Sequence, residues 1–313
     1  MGVIEADMAD KARRLDSNVE GDFFVDATCI NCDACRQLAP LSFSEVGDYS
    51  AVTSQPTTDR ELRAAYRALL ACPTGSIGTL RSDKQRLSLA KADFPLRLDE
   101  GVYYCGFNAE ASFGANSFFV QAAGGNWLVD SPRYVPSLID AFERLGGIAH
   151  IFLTHEDDVA DAAKYARHFG ARRIIHREDA HAMPDAEEIV TGDEPQLLRE
   201  EFLLIPTPGH TAGSQSLLYR DRFLFTGDHL WWEPEIRRLE APRQLVWDRE
   251  ALCRSLERLM RYSFEWVLAG HGGRVTFGRH DGVDAEGGGG ADDGPGIMRV
   301  RHLVEHEDET AFW

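Results

Sequence analysis

Cys29, Cys32 and Cys35 stand at every third residue of the run CINCDAC, and Cys72 directly precedes Pro73 in ACPTGSI. A thiolate at every third residue of a turning loop aims three sulfurs into one small volume. A fourth from a distant segment completes a four-thiolate shell, suited to an iron–sulfur cluster or to zinc. Disulfides inside so tight a loop would be strained. Cys105 in VYYCGF and Cys253 in EALCRSLERL are isolated and read as small core residues. A second set of chemistry-bearing residues follows short apolar runs: Asp130 in LVDSP, His155 in FLTHEDD, His210 in TPGHTAGS, Asp228 in FTGDHL and His271 in VLAGHGG. Strand-end loops of α/β scaffolds present such groups, and mixed imidazole and carboxylate sets hold zinc or non-haem iron.

The elements that must position these groups are legible in outline. TTDRELRAAYRALLAC places Leu62, Ala65, Tyr66, Leu69 and Leu70 at helical spacing, a cover for the thiolate shell. From about Phe94 onward short apolar runs alternate with helical stretches such as VPSLIDAFERLG, VADAAKYARHFG and REALCRSLERLMRYS. The 313 residues include 43% hydrophobic and 10% aromatic side chains, enough for one or two cores and incompatible with wholesale disorder. At roughly 100–200 residues per domain the length suggests two or three domains. With 33 basic and 51 acidic residues the net charge is −18, which argues against a nucleic-acid partner. No apolar run approaches the roughly 20 residues needed to cross a bilayer, so no membrane partner is expected. The N-terminus lacks the apolar core of a signal peptide, so a cytoplasmic location is expected.

The C-x2-C-x2-C run with a distant Cys-Pro resembles the bacterial-type ferredoxins. In two-cluster members a Cys-Pro also follows the first run, serving the other cluster. Here that stretch reads Cys35-Arg36-Gln37-Leu38-Ala39-Pro40, with the proline but no cysteine. The resemblance therefore implies one 4Fe–4S cluster on Cys29, Cys32, Cys35 and Cys72. Zinc remains the alternative occupant, because C-x2-C pairs also build zinc ribbons. The five loops at Asp130, His155, His210, Asp228 and His271 resemble, in order, those of the metallo-β-lactamase superfamily, over about residues 94–278. That family implies an αββα sandwich with a metal site at one edge of two packed sheets. The expected fold class is therefore a two-domain α+β chain, a ferredoxin-like iron–sulfur domain followed by that sandwich. The expected boundaries are an arm over 1–20, the ferredoxin-like domain over 21–85, the sandwich over 94–280, a Gly- and Asp-rich linker over 281–296 and a tail over 297–313.

One loop departs from the family pattern. Where the family carries Thr-His-x-His-x-Asp-His, this chain reads Thr154-His155-Glu156-Asp157-Asp158-Val159-Ala160-Asp161. His155 carries over, Asp157 takes the second His position, and Val159 and Ala160 replace the Asp-His pair. Asp158 or Asp161 could reach the site from the following helix, where Asp157 and Asp161, four apart, would share a face. Helix capping is the competing role for both. The expected metal ligands are His155, Asp157, His210, Asp228 and His271, holding zinc or iron, with Asp157 or Asp158 orienting a water as catalytic groups.

Three functions follow. The leading one is an electron-transfer module fused to a metal-dependent hydrolase-type domain acting on a small-molecule substrate. The second is a redox enzyme with a two-histidine, one-aspartate iron site fed by the cluster, resembling the persulfide dioxygenases or flavodiiron proteins. Fusion to a ferredoxin favours it, because hydrolysis uses no electrons. The third is a non-catalytic redox sensor or binding protein, and in each case a redox partner protein is expected. His229 is at best a supporting group behind the metal ligands. His150, His168, His176, His181, His280, His302 and His306 match no motif. Trp231, Trp232 and Trp247 could wall a cleft or pack the core, and Arg237, Arg238 and Arg243 could meet an anionic substrate or face solvent.

Overall fold

A computed structural model describes residues 9–277. The expected linker over 281–296, the tail over 297–313 and His280, His302 and His306 lie outside the described residues. The described residues divide into two compact units, 9–119 with 132–147 and 120–131 with 148–277. Packing groups the segments 94–119 and 132–147 with the first unit.

The first unit opens with β1 (Phe23–Val25), α1 (Ala34–Leu38), the hairpin β2 (Phe43–Val46) and β3 (Tyr49–Val52), then α2 (Asp59–Ala71) and β4 (Ile77–Thr79). β1 pairs antiparallel with β4, so the two ends of the cysteine-bearing stretch close on each other. α2 is the helix expected between the cysteines. Thr58 accepts from the Glu61 N–H while Glu61 reaches back to the Thr58 N–H, a capping box that fixes its start. Ala65 and Tyr66 are buried, and Tyr66 sits edge-on to Phe23 at 5.1 Å. α3 (Lys84–Ala92) follows, and Asp93 after it receives Arg63 and Arg67 from α2, which clamps the two helices together. The strands β5 (Leu96–Asp99) and β6 (Val102–Tyr104) pair antiparallel, and α4 (Pro136–Arg144) completes the unit.

The chain leaves the first unit within β7 (Phe118–Val120). In the second unit β8 (Trp127–Val129), β9 (His150–Phe152), β10 (Arg172–His176) and β11 (Glu188–Val190) pair parallel in that order. β8 and β9 are buried throughout, as parallel strands covered on both faces must be. The other sheet runs β12 (Gln196–Leu198), β13 (Phe202–Pro206), β14 (Gln215–Tyr219), β15 (Phe223–Gly227), then β18 (Trp266–Ala269) and β19 (Val275–Thr276). A separate hairpin, β16 (Trp231–Glu233) with β17 (Arg238–Glu240), intervenes in sequence. Trp127 of one sheet stacks on Phe202 of the other at 4.2 Å, and Gln215 of β14 donates to the Thr154 and Leu153 carbonyls beyond β9. α5 (Ala162–Phe169) packs on β10. α6 (Arg249–Leu259), capped by Asp248, lays Leu252, Leu256 and Leu259 on the outer face of the second sheet with Ile205, Leu218 and Val267. Helix, sheet, sheet, helix is the αββα order expected.

Candidate functional site

The cysteine loop turns because Asn31 (φ 56°) and Asp33 (φ 71°) both adopt left-handed backbone. Asn and Asp tolerate that region better than other residues with a Cβ. Two reversals within five residues point Cys29 and Cys32 inward, and α1 then presents Cys35. α2 ends at Ala71, so Cys72 sits at its C-terminus with its N–H on the Ala68 carbonyl, and Pro73 prevents continuation. All four cysteines line one pocket with Val25 and Ile77. Arg36 holds the loop, donating to Asn31 Oδ1 at 2.5 Å and Ser50 Oγ at 2.7 Å. Buried Asn18 ties the strands behind it: its amide nitrogen donates to the Leu15 and Val25 carbonyls, and its oxygen accepts from the Val25 and Val52 N–H groups. No motif marks Asn18 in the sequence.

Burial pushes the Cys32 thiol up to about 12, with Cys72 and Cys29 adding to it. Burial drives Cys35 higher still, against a hydrogen bond from Ser50. Burial therefore favours the neutral thiol at Cys32 and Cys35, and a bound cluster takes the place of their protons. Cys105 is buried elsewhere in the first unit, beside Ser117, and Cys253 lies half-buried on α6, so neither joins the pocket.

The second centre lies within the second unit, where β8, β9 and β15 run out into loops. Asp130 follows β8 and Thr154-His155 follows β9. Asp130 Oδ1 accepts from the Thr154 N–H at 2.8 Å, and both its oxygens lie 3.0 Å from the Thr154 hydroxyl. That hydroxyl in turn sits 2.9 Å from His155 Nδ1, so the relay orients the ring and leaves Nε2 facing the site. His210 is oriented likewise: its Nδ1 donates to the Leu245 carbonyl at 2.7 Å. The Nε2 atoms of both rings are buried with no protein partner. His210 Nε2 lies 3.4 Å from Asp157 Oδ2 and 3.7 Å from Asp228 Oδ2, and His155 Nε2 lies 3.8 and 3.6 Å from the same two oxygens.

A second group of three donors joins His155, Asp158 and Asp228. Asp158 is fully buried, and neither of its oxygens has a hydrogen-bond partner. Gly270 makes the space between the carboxylates: a Cβ there would fall 2.7 Å from Asp228 Oδ1 and 2.8 Å from Asp158 Oδ2. His271 turns its Nδ1 to both oxygens of Asp228 at 2.8 Å and supports that carboxylate. Asp157 and Asp161 do not share a helical face as the spacing suggested. Asp157 lies in the 3-10 turn Glu156–Asp158, the chain reverses at Ala160 (φ 27°), and α5 begins only at Ala162. Asp161 precedes it without a side-chain cap bond and pairs with Lys164 at 2.7 Å.

Charge explains how these groups coexist. Burial alone would lower the pKa of His155, yet Asp158, Asp228 and Asp130 together raise it to about 10. Burial likewise opposes the charge on His271, and Asp228 raises it to about 9. Asp228 stays well below the usual carboxylate range despite burial, held by His271 and His155. The His210 imidazole facing Asp157 lowers that carboxyl, and burial pushes Asp158 well up. Without a cation, protons on His155 and His271 offset the carboxylate charge.

Sequence reasoning missed Asp179. This buried carboxylate accepts from the Glu156 N–H at 3.1 Å, the Thr211 hydroxyl at 2.5 Å and the Gly213 N–H at 2.8 Å. It latches the His155 loop to the His210 loop, and Gly213 leaves room for it, since a Cβ there would meet its carboxyl at 2.5 Å. His229 is buried with both ring nitrogens unpartnered, and burial, with His210 nearby, lowers it to about 3. His150 stacks near Trp127, His168 lies against Phe169, and His181 pairs with Glu156. Trp232 packs in the core, while Trp231 lies over Gly272 and Trp247 is exposed. Arg238 and Arg243 both meet Glu240.

Residues 112–271 match the family described as metallo-beta-lactamase superfamily, just over half the chain. The chain belongs to that superfamily. Ahead of this domain, residues 25–79 match the 4Fe-4S single cluster domain of Ferredoxin I, so the chain carries one 4Fe–4S domain joined to a superfamily domain whose members bind zinc or iron. A hydroxyacylglutathione hydrolase of Acidiphilium cryptum (strain JF-5) is 31% identical over 171 residues, covering 53% of this chain and 69% of that protein. Among solved structures, the BLEG-1 B3 metallo-beta-lactamase is 19% identical, covers 56% of this chain and 93% of its own, and superposes with a TM-score of 0.47. A metallo-beta-lactamase family protein from Thermus thermophilus is 18% identical, with coverage of 68% and 81% and a TM-score of 0.45. Among the described residues no helix is long and apolar enough to cross a membrane.

Proposed function

We propose that the superfamily domain is a metal-dependent hydrolase-type enzyme whose cation is held by His155, Asp157, His210 and Asp228, and that the cluster relays single electrons to or from a redox partner protein. The observation that carries the metal site is the pair of buried, unpartnered Nε2 atoms converging with two carboxylates. Two imidazoles and two carboxylates form a donor set that zinc and iron both accept. The A. cryptum relative supports a thioester of a hydroxy acid as the first substrate to try.

A bound cation there would supply Lewis-acid polarisation of a carbonyl and acidify a water. The chain's own residues do the rest. The Asp130–Thr154 relay and the Leu245 carbonyl hold the two imidazoles with their lone pairs inward. Asp158, fully buried with neither oxygen hydrogen-bonded, is placed to take and return a proton. His271 keeps Asp228 in place and ionised.

A second reading rests on Asp157. A carboxylate in the place of the family's second histidine shifts the donor set toward oxygen, which favours non-haem iron and, beside a cluster in the same chain, redox chemistry. Metal and acid-labile sulfide per chain, on anaerobically purified wild type and His210→Ala, separate the two. The cluster accounts for about four irons and four sulfides. Zinc beyond that share, lost in His210→Ala together with hydrolysis of a hydroxyacyl thioester of glutathione, is the expected result. Extra iron lost in the variant, with no hydrolysis, would favour the redox reading. No metal beyond the cluster's would overturn both.

A further inference from the structure

The carbonyls at the C-terminal end of α2 have no partners within the helix, and such groups need donors from elsewhere. Residues far along the first unit supply them. The Arg133 guanidinium donates through Nη2 to the Leu70 carbonyl at 2.8 Å and the Cys72 carbonyl at 3.1 Å. The Asn108 N–H donates to the Ala71 carbonyl between them at 3.2 Å. Arg133 is itself fixed, its N–H on the Phe107 carbonyl at 2.8 Å and its guanidinium 6.0 Å from the Phe107 ring centre. From the same segment Gly114 (φ 88°) lies against the cysteine loop. A Cβ at Gly114 would fall 2.6 Å from Cys32 Cβ, 2.8 Å from Cys32 Sγ and 3.1 Å from Pro73. Buried Asn108 holds Gly114 there through a 2.6 Å bond to its carbonyl, and the Tyr104 hydroxyl donates to the same Asn108 at 2.6 Å.

We infer that Gly114 and Arg133, both outside the ferredoxin-matching residues 25–79, complete the cluster's pocket: Gly114 closes it over Cys32, and Arg133 is a positioning residue that fixes the Cys72 corner and biases the cluster toward its reduced state. The physical reason is twofold. A guanidinium stays charged at any accessible pH, and its charge acts strongly in a partly buried setting. Reduction adds one electron to the cluster and breaks no bond, so a cation nearby favours the reduced form. Cluster potentials respond to nearby charge, hydrogen bonding and solvent access. The inference concerns the first unit alone and stands whether or not the second centre hydrolyses anything.

The test is a dithionite titration of the full chain, followed by the electron paramagnetic resonance of the reduced cluster, with iron per chain as control. Wild type, Arg133→Lys and Arg133→Gln are compared. The expected result is a midpoint shifted to lower potential in Arg133→Gln and restored most of the way in Arg133→Lys, which keeps the charge. An unshifted midpoint in Arg133→Gln at full iron content overturns the inference. Should Arg133→Gln not retain its cluster, iron release to a chelator is timed in Arg133→Lys. Faster release than wild type supports the clamp on Cys72, and an unchanged rate refutes it. Neither readout depends on enzymatic turnover.

Discussion

Three of the four thiols in the first centre come from seven consecutive residues, Cys29 to Cys35. The donors of the second are spread from His155 to Asp228 over three loops of one sandwich. The contrast extends to charge. Burial keeps Cys32 and Cys35 as neutral thiols in the first, whereas in the second the protonated rings of His155 and His271 balance carboxylate charge. A local loop can shape itself before the domain around it is complete. A dispersed centre needs its loops tied to each other, and here Asp179 and the Asp130–Thr154 relay do the tying.

The largest expected effect breaks one region and spares the other. Cys72→Ser should cost the chain its cluster, about four irons by elemental analysis, while metal at the second centre stays. Loss of both would show that the centres do not load independently. Next in size is Asp179→Ala, which should weaken zinc or iron binding at the second centre by about 10–100-fold in a chelator competition, the usual effect of removing an outer support. Stranding the Glu156 and Gly213 N–H groups should also cost about 1–3 kcal/mol in thermal unfolding. Asp179→Asn should recover part of both, with cluster iron unchanged.

How far these regions were legible follows from the same contrast. CINCDAC and the five strand-end motifs are strings of adjacent letters, so the cluster loop, the αββα order and the placement of His155, His210 and Asp228 together could be read directly. Asp157 and Asp161 could not, because a spacing of four says nothing about whether a helix has begun, and the reversal at Ala160 separates them. Asp179, Asn18 and Arg133 act through backbone groups remote in sequence, which leave no pattern. His271 carries its motif, yet its ring is engaged by Asp228, a pairing that only three-dimensional placement reveals.

Two smaller effects sharpen the contrast. In the metal-free second centre His155 is pushed up to about 10 and is protonated at neutral pH, so a cation must displace that proton. Affinity should therefore rise with pH by about tenfold per unit for that one proton, flattening near the raised value; zinc competition across pH would show it. The smallest effect lies outside both centres. Arg173, buried at the start of β10, holds Glu187 down to about 2 and also meets Asp185. A depressed carboxylate adds stability above its ordinary value near 4.5, and loses it as pH falls toward 2. Because Glu187 is largely solvated, Glu187→Gln should cost at most about 1 kcal/mol in melts at pH 7, with a narrower gap from wild type at low pH and both metals retained.

Gly114 against Cys32 has a meaning for protein engineering as well as for chemistry. A glycine with no room for a Cβ, contributed by a segment beyond the ferredoxin-matching stretch, makes the cysteine loop depend on residues outside it. The cysteine cassette is not a portable part. Transplanting residues 25–79 alone into another protein would leave Cys32 and the end of α2 bare, so a working graft would have to carry Asn108, Gly114 and Arg133 with it.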